Sequence, residues 1–250
     1  MAKHTLPINM RDYNLELKKR VEFIQNVLKE SHADGIVFGN SGGKDSALVG
    51  ILCKTACDNT VGISMPCSSK QNYAEDMDDA KALSSQYGIS LRNVDLSSLK
   101  DEAIKTYSTF NLSKSASINI APRLRMLTLY TIAAAENRIV AGTGNRSEIH
   151  MGYFTKWGDG AYDFNPIADL TATEVFEFLT FLNAPNNIIK KAPSGGLFEG
   201  QTDEKEMGIS YADIDNFLIN GEVSEENKAI IDHFHNKSHH KRTLPKKYGE

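Results

Sequence analysis

A short apolar strand that runs into a glycine-rich loop and then into a helix limits most strongly how this chain folds. Apolar residues 36–38 lie between Gly35 and Gly39 and predict a buried strand. Small and polar residues follow, Asn40-Ser41-Gly42-Gly43-Lys44-Asp45-Ser46, and a helix is predicted from about residue 45 to 57. Such a loop presents backbone N–H groups at a helix N-terminus, where anions bind. The predicted ligand is a phosphate group.

The alternation of helix and strand continues along the chain. A helix is predicted before the first strand, and further strands are predicted at residues 60–65, about 91–96 and 138–142, with helices between them. Strands that alternate with helices form parallel sheets covered on both faces, so we predict a doubly wound α/β fold. A length of 250 residues suits one such domain, spanning residues 1–250.

The second half of the chain contains two segments with little periodicity. Residues 143–170, rich in Gly, Asp, Asn and aromatic residues, are predicted to form a functional loop, and residues 190–209 a loop that orders on ligand binding. Between them, a predicted helix at 171–182 carries apolar residues on more than one face, which predicts a subunit interface. Short helices are predicted near 211–218 and 224–235.

Composition narrows the class of protein. The balance of 28 Lys and Arg against 32 Asp and Glu disfavours binding to nucleic acid. Three cysteines are an odd number, so a disulfide framework is not expected, and a reducing compartment, the cytoplasm, is predicted. A signal peptide and a run of about 18 apolar residues are both lacking, so no membrane partner is expected.

The glycine-rich loop differs from a Walker A loop. Only three residues separate Gly39 from Gly43, and Asp45 rather than Ser or Thr follows Lys44. The residues from Ser41 to Ser46 read Ser-Gly-Gly-x-Asp-Ser, which resembles the pyrophosphate loop of the N-type ATP pyrophosphatases. A carboxylate among phosphates implies a bridging Mg²⁺. The alternative is that Ser41 or Asp45 only caps the next helix.

Several other motifs extend the resemblance over residues 20 to 245. They are Asn119 to Arg123, Gly142 to Glu148, Gly152 to Gly160, Asp163 to Ile167, Pro193-Ser194, Gly200 to Glu204 and His240-Lys241-Arg242. Together they resemble the ammonia-dependent NAD synthetases. The resemblance implies the adenine nucleotide alpha hydrolase-like (Rossmann-like) fold. It also implies a homodimer in which ATP adenylates the carboxylate of nicotinic acid adenine dinucleotide (deamido-NAD) and ammonia then displaces AMP to give NAD.

The resemblance also implies roles for individual residues. Asp45 and Glu148 would bind Mg²⁺. On mechanistic grounds, Asp45 and Lys156 would be catalytic through charge neutralisation and alignment, and Asp159 or Asp163 would take a proton from ammonium. The ATP-binding residues would be Gly39, Asn40, Ser41, Gly42, Gly43, Lys44, Asp45, Ser46, Met65, Thr143 and Ser194. The deamido-NAD-binding residues would be Arg123, Lys156, Asp163, His240 and Lys241. One departure is Ala172, where the family commonly has a lysine, so a phosphate contact is missing or replaced.

Each of these features has a simpler alternative. Glu148 and Arg146 would form an exposed pair at a helix start. Arg123 and Arg125 lie on different faces of one helix, so at most one reaches a ligand, and Arg123 is preferred. By composition alone, residues 237–242 are a disordered basic end. Cys53 and Cys57, four residues apart, are interpreted as buried thiols rather than half of a metal site.

Two rival functions remain open. One is a different pyrophosphate-loop enzyme, such as a GMP-synthetase-like amidating ligase or a tRNA-modifying enzyme. A tRNA-modifying enzyme would be expected to carry a basic surface or a catalytic cysteine pair, and neither is evident. The other is a non-catalytic adenine-nucleotide sensor, which need not keep Glu148 and Lys156. Because 250 residues leave no room for an added amidase domain, free ammonia or a partner protein would supply nitrogen.

Overall fold

The computed structural model describes residues 11–67, 75–191 and 203–249. Its strands are β1 (Gly35–Gly39), β2 (Thr60–Ser64), β3 (Ser90–Asn93) and β4 (Arg138–Ala141). All pairings are parallel, and the order across the sheet is β3-β2-β1-β4. Val37 of the central strand β1 pairs with Val61 on one side and Val140 on the other. The third strand is shorter than predicted, because Leu96 serves as the N-cap of the next helix.

Helices account for most of the remaining described chain. They are α1 (Tyr13–Ser31), α2 (Lys44–Ala56), α3 (Glu75–Tyr87), α4 (Ser97–Thr106), α5 (Lys114–Ile118), α6 (Ile120–Ala135), α7 (Arg146–Met151), α8 (Ala172–Phe181), α9 (Asn186–Lys190), α10 (Asp203–Met207), α11 (Tyr211–Asn220), α12 (Glu225–Lys237) and α13 (His239–Arg242), with a 3-10 helix (Ser108–Phe110) after α4. Within the described ranges, no helix is both long enough and apolar enough to cross a bilayer.

Two of these helices lie in segments predicted to be loops. Helix α7 lies within 143–170 and α10 lies within 190–209, so the loop prediction was wrong for both. Each spans fewer than two turns, which is too short to produce a periodic apolar pattern. Helix α7 is instead stabilised locally by a capping box, in which Asn145 and Glu148 satisfy each other's backbone N–H groups.

The sheet is covered by helices on both faces, as a doubly wound fold requires. Ile36 and Phe38 of β1 point to one face and join a core with residues of α1, α2 and α8. Val37, between them, points to the opposite face and packs with Leu129 and Ala133 of α6. This alternation follows from the two-residue period of a strand. The predicted α/β class with helices on both faces is therefore confirmed.

Most of the apolar residues that suggested a subunit interface at helix α8 are covered within the chain itself, so they do not support that interface, which stays a prediction. Val175, Phe178 and Leu179 are fully buried within the chain itself. Helix α8 lies between α2 on one side and α11 on the other, so apolar residues on two of its faces have partners in the same chain. Amphipathicity alone could not reveal this, because it does not show how many layers cover a helix.

The sheet order creates a crevice next to β1. The chain leaves β1 through α2 to reach β2 on one side, whereas β4 lies on the other side. The loops after β1 and β4 therefore diverge at their carboxyl ends, which is where open α/β sheets bind ligands. The glycine-rich loop and the segment Gly142 to Asn145 face each other at this point.

Candidate active site

The glycine-rich loop is held in shape by its own polar groups. Asn40, almost fully buried, accepts a hydrogen bond from the Gly42 N–H at 3.3 Å. Ser41 Oγ accepts from the Gly43 N–H at 3.3 Å and lies 3.0 Å from Ser46 Oγ. Gly43, which has no side chain, is the N-cap of α2, and within the described residues no side-chain hydrogen bond caps this helix. The helix-cap alternative is therefore wrong, and the helix N-terminus is available to an anion.

Glycine is required at position 42 for two reasons. Its φ is +75°, in the left-handed region. A Cβ atom there would also lie 2.3 Å from the carbonyl oxygen of Asp76, near the start of α3. Asp76 is itself fixed, because Lys191 Nζ lies 2.6 Å from its Oδ1 and 2.7 Å from Asp79 Oδ2. The first turn of helix α3 therefore packs directly against the loop at Gly42.

A charged cluster lies directly beside the loop. Asp45 Oδ2 accepts a hydrogen bond from Lys44 Nζ at 2.5 Å, and its Oδ1 accepts one from Asn145 Nδ2 at 3.0 Å. Asn145 is fully buried, and its backbone N–H donates to Glu148 Oε2 at 3.1 Å. Asn145 thus connects the two carboxylates predicted to bind magnesium, although they are about one hundred residues apart in sequence.

The electrostatics of this cluster favour an added cation. Burial and then the negative charge of Asp45 raise the pKa of Glu148 well above its usual range, and Lys44 opposes them. Among the described residues, no group of three or more His, Cys, Asp or Glu side chains is arranged to hold an ion. Mg²⁺, however, is commonly held by one or two carboxylates together with substrate phosphates. The pair Asp45 and Glu148 fits that mode of binding.

Helix α7, which carries Glu148, is fixed by contacts that the sequence did not reveal. Arg146 donates to the Leu218 carbonyl at 2.9 Å, so the alternative of an exposed pair with Glu148 is wrong. The fully buried Asp215 accepts hydrogen bonds from Ser147 Oγ at 2.5 Å and from Thr173 N and Oγ1 at 2.8 and 2.6 Å. Asp215 thereby connects α7, α8 and α11.

A second charged cluster forms where the C-terminal helices meet the loop after α7. Lys156 Nζ donates to the His240 carbonyl at 2.6 Å. Lys241 Nζ donates to the carbonyls of Gly152 and Phe154 at 2.8 and 2.6 Å. The alternative of a disordered basic end is therefore wrong for residues 237–242, which continue α12 into α13.

Asp159 and Arg125 interact electrostatically with each other. Asp159 Oδ1 accepts the Thr155 N–H at 3.0 Å. The Asp159 residue is exposed, yet nearby protein atoms raise the pKa of its carboxyl group by desolvation, against the lowering effect of the Thr155 N–H, Arg125 and Lys241. Arg125 Nε donates to the Met65 carbonyl at 3.2 Å, at the carboxyl end of β2. Arg125 is thus held at the carboxyl end of β2, whereas Arg123 is exposed in the first turn of α6, and the preference for Arg123 as the ligand-contacting arginine stays a prediction.

The remaining predicted site residues occupy different settings. Thr143 is half-buried just after β4, and Met65 is buried just after β2. Asp163 Oδ2 accepts the Val140 N–H at 2.7 Å and its Oδ1 accepts from Tyr130 at 3.0 Å, so this carboxylate already supports the edge of the sheet. Ser194 lies outside the described residues. Cys53 is fully buried, and burial raises the pKa of its thiol, in agreement with a structural thiol.

A separate cavity of about 490 Å³ lies away from both clusters. It is formed by the ends of α4 and α5 and the segment between them, and it is lined by Ile104, Ser108, Leu112, Ser113, Lys114, Ser117 and Ile118. None of the predicted site residues that the structure describes lines it. The charged chemistry is therefore concentrated at the crevice beside β1 rather than in this cavity.

Comparison with known proteins identifies the family. The family described as NAD synthase matches residues 16–245. The NH₃-dependent NAD⁺ synthetase of Carboxydothermus hydrogenoformans is 45% identical over 232 residues, covering 91% of this chain and 94% of that protein. The corresponding enzyme of Alkaliphilus metalliredigens is 41% identical over 241 residues, covering 92% of this chain and 96% of that protein.

Solved structures give the same family. The NMN synthetase of Francisella tularensis overlays with a TM-score of 0.90 at 37% identity, covering 96% of this chain and all of that one. The NH₃-dependent NAD synthetase of Campylobacter jejuni overlays with a TM-score of 0.78 at 32% identity, covering 95% and 99% of the two chains. Because the family model matches residues 16–245 and the relatives are matched over nearly their full length, the chain belongs to the NAD synthase family.

Proposed function

We propose that the protein is an ammonia-dependent NAD synthetase, a ligase that forms a C–N bond. It would amidate deamido-NAD with ammonia, consuming ATP and giving NAD, AMP and pyrophosphate in the last step of NAD biosynthesis. The main observation behind this proposal is that Asn145 donates hydrogen bonds to both Asp45 and Glu148. The three residues lie beside the glycine-rich loop, where no described side chain caps the N-terminus of α2. The NAD synthetase relatives supply the identity of the carboxylate.

In this proposal, ATP binds with its pyrophosphate on the loop from Gly39 to Ser46. Backbone N–H groups at the start of α2 and the positive end of the helix would stabilise the phosphates. Met65, Thr143 and Ser194 would complete the nucleotide site. Asp45 and Glu148 would hold Mg²⁺, which supplies charge neutralisation for the departing pyrophosphate.

The reaction proceeds in two displacements. A carboxylate oxygen of deamido-NAD attacks the α-phosphorus of ATP, and the bond to pyrophosphate breaks. Ammonia then attacks the acyl carbon of the adenylate, and AMP leaves. Lys156, Arg123, Asp163, His240 and Lys241 would bind and orient the dinucleotide, so that catalysis comes mainly from alignment and charge neutralisation. Asp159, whose pKa is raised by its surroundings, would accept the proton that the nitrogen loses.

A second candidate substrate is the mononucleotide, nicotinic acid mononucleotide. The overlay with the Francisella tularensis NMN synthetase, at a TM-score of 0.90, favours it over unrelated carboxylates. Both substrates present the same nicotinate carboxyl group, so the two reactions share every bond change. Comparison of kcat/KM for the two nucleotides, with ammonium as nitrogen donor, would show which of them is the preferred substrate.

The proposal also covers the domain organisation, the oligomeric state and the cellular compartment. We infer one domain over residues 1–250 that acts as a cytoplasmic homodimer. The exposed Leu99, Phe110 and Leu127, at 54%, 74% and 63% exposure, are apolar groups that a second subunit would cover. A monomer in light scattering at assay concentrations would count against the dimer.

The deciding experiment is an assay of NAD formation by the purified protein with ATP, Mg²⁺, ammonium and deamido-NAD. Asp45→Asn is expected to remove at least about 99% of the activity, because it lowers the charge that holds the metal and pyrophosphate. Lys54→Gln, on the exposed side of the same helix, is the matched control. No product with either nucleotide, or full activity of Asp45→Asn, would overturn the proposal.

A further inference from the structure

Lys44 stands in an unusual place for a residue of a phosphate loop. Its side chain does not extend into solvent, and the residue is only 5% exposed. Its Nζ atom lies 2.5 Å from Asp45 Oδ2, and 5.7 and 5.6 Å from the ring centroids of Phe176 and Tyr211. The ammonium group is therefore enclosed by a carboxylate and two aromatic faces.

The surroundings of this ammonium group are strongly acidic. Besides Asp45, the carboxylates of Glu148 and Asp203 act electrostatically on Lys44. Asp203 is 3% exposed and accepts a hydrogen bond from the Tyr211 hydroxyl at 3.1 Å. Burial of several like charges is unfavourable unless a cation lies among them. Lys44 places such a cation there permanently, because it is part of the chain.

Lys44 also occupies one of the oxygens that a metal would use. Asp45 Oδ1 accepts from Asn145 and Oδ2 accepts from Lys44, so both carboxylate oxygens already have a donor within the chain. A divalent cation that approaches Asp45 without nucleotide meets a fixed positive charge beside its ligand. ATP changes this balance, since its phosphates bring further negative charge and further oxygen ligands.

We propose that Lys44 is a built-in counter-cation that prevents divalent metal from binding at Asp45 and Glu148 until ATP arrives. Metal then enters together with the nucleotide. The inference rests on the proposed function in taking these two carboxylates as the metal ligands. It concerns the order in which metal and nucleotide bind and makes Lys44 a positioning residue for the loop.

The test measures binding of Mn²⁺ by electron paramagnetic resonance, without turnover. In the natural protein, Mn²⁺ alone should bind at least about tenfold more weakly than in the presence of a non-hydrolysable ATP analogue. In Lys44→Met, Mn²⁺ alone should bind at least about tenfold more tightly than in the natural protein. Methionine keeps the packing against the two rings, since its thioether contacts aromatic groups favourably.

Two further variants test whether the effect depends on the positive charge and on its location at residue 44. Lys44→Arg keeps the positive charge and should still exclude Mn²⁺. Lys54→Met removes a lysine from the same helix, where it pairs with Asp58 on the surface, and should bind Mn²⁺ as the natural protein does. Addition of Mg²⁺ should raise the Tm of Lys44→Met but not that of the natural protein.

Equal Mn²⁺ binding by Lys44→Met and the natural protein would overturn the proposal. If Lys44→Met does not fold, the measurement on the natural protein decides. Tight Mn²⁺ binding without nucleotide that is lost in Asp45→Asn would then overturn the proposal. Because no product is measured, failure of the amidation assay and failure of this inference are distinguishable.

Discussion

Replacement of Gly42 by alanine should damage the phosphate loop more than its small size suggests. At φ +75°, alanine costs about 1 to 2 kcal/mol relative to glycine. The added Cβ would lie 2.3 Å from the Asp76 carbonyl oxygen, a backbone atom that cannot rotate away. Overpacking of this kind costs about 1 to 3 kcal/mol. The total is about 2 to 5 kcal/mol if the loop keeps its conformation.

Gly221→Ala isolates the first of these two effects. Gly221 ends α11 at φ +73°, and no atom of the described residues lies within 4 Å of the position of its Cβ. It should lose only the conformational part, about 1 to 2 kcal/mol. Urea unfolding of both variants gives the difference in free energy of unfolding, which measures the contact with Asp76.

Alternatively, in Gly42→Ala the loop shifts away from α3 and relieves the close contact. The free energy of unfolding would then fall less, but the KM for ATP should rise at least about tenfold, because the phosphate-binding N–H groups are displaced. Measuring both quantities covers both responses. If Gly42→Ala matches Gly221→Ala in stability and leaves the KM for ATP unchanged, the close approach between the loop and α3 is refuted.

Three further predictions concern contacts away from the loop. Asp215→Ala leaves the Ser147 hydroxyl and the Thr173 N–H without their buried acceptor. Urea unfolding should therefore show a free energy of unfolding lower by on the order of 3 kcal/mol, and a loss below about 1 kcal/mol would contradict the hydrogen-bond network. Burial acts to raise the pKa of Asp169, but its paired hydrogen bonds with Arg20, at 2.6 and 2.9 Å, lower the pKa overall. The ionised Asp169 carboxylate therefore stabilises the fold above the unfolded pKa, about 3.9, and this contribution is lost as pH falls through the lower folded pKa. Asp169→Asn should therefore make the free energy of unfolding fall less steeply at acid pH. An unchanged slope would contradict this role of Asp169. Lys156→Met should raise the KM for the pyridine nucleotide while leaving the KM for ATP within about twofold, checked by steady-state kinetics, and equal effects on both would place Lys156 elsewhere.

Much of the fold could be predicted from local patterns. The run at residues 36–38, flanked by glycines, identified β1, because a strand buried on both faces has a continuous apolar sequence. The spacing within 39–46 excluded a Walker loop and indicated pyrophosphate, since the backbone conformation there depends on neighbouring residues. Short helices such as α7 were missed because their cap, rather than their periodicity, defines them.

The direction of side chains at the site depended on contacts between distant parts of the chain. Arg123 and Arg125 lie two residues apart on one helix, and only the packing of α6 on the sheet brings Arg125 to the Met65 carbonyl. Lys44 was expected to face phosphate, yet it is buried because α8 and α11 place Phe176 and Tyr211 around it.

The sequence alone determined the class of fold, the glycine-rich loop between β1 and α2 and the residue types available for chemistry, because these follow from short-range periodicity and local backbone preferences. The tertiary structure decided which of those residues meet. Asp45 and Glu148 are joined only through Asn145, and residues 240–241 reach Lys156 and Gly152 only once α12 packs against α7. The physical reason is that burial and charge pairing across the molecule depend on how layers stack, and no local pattern encodes that stacking.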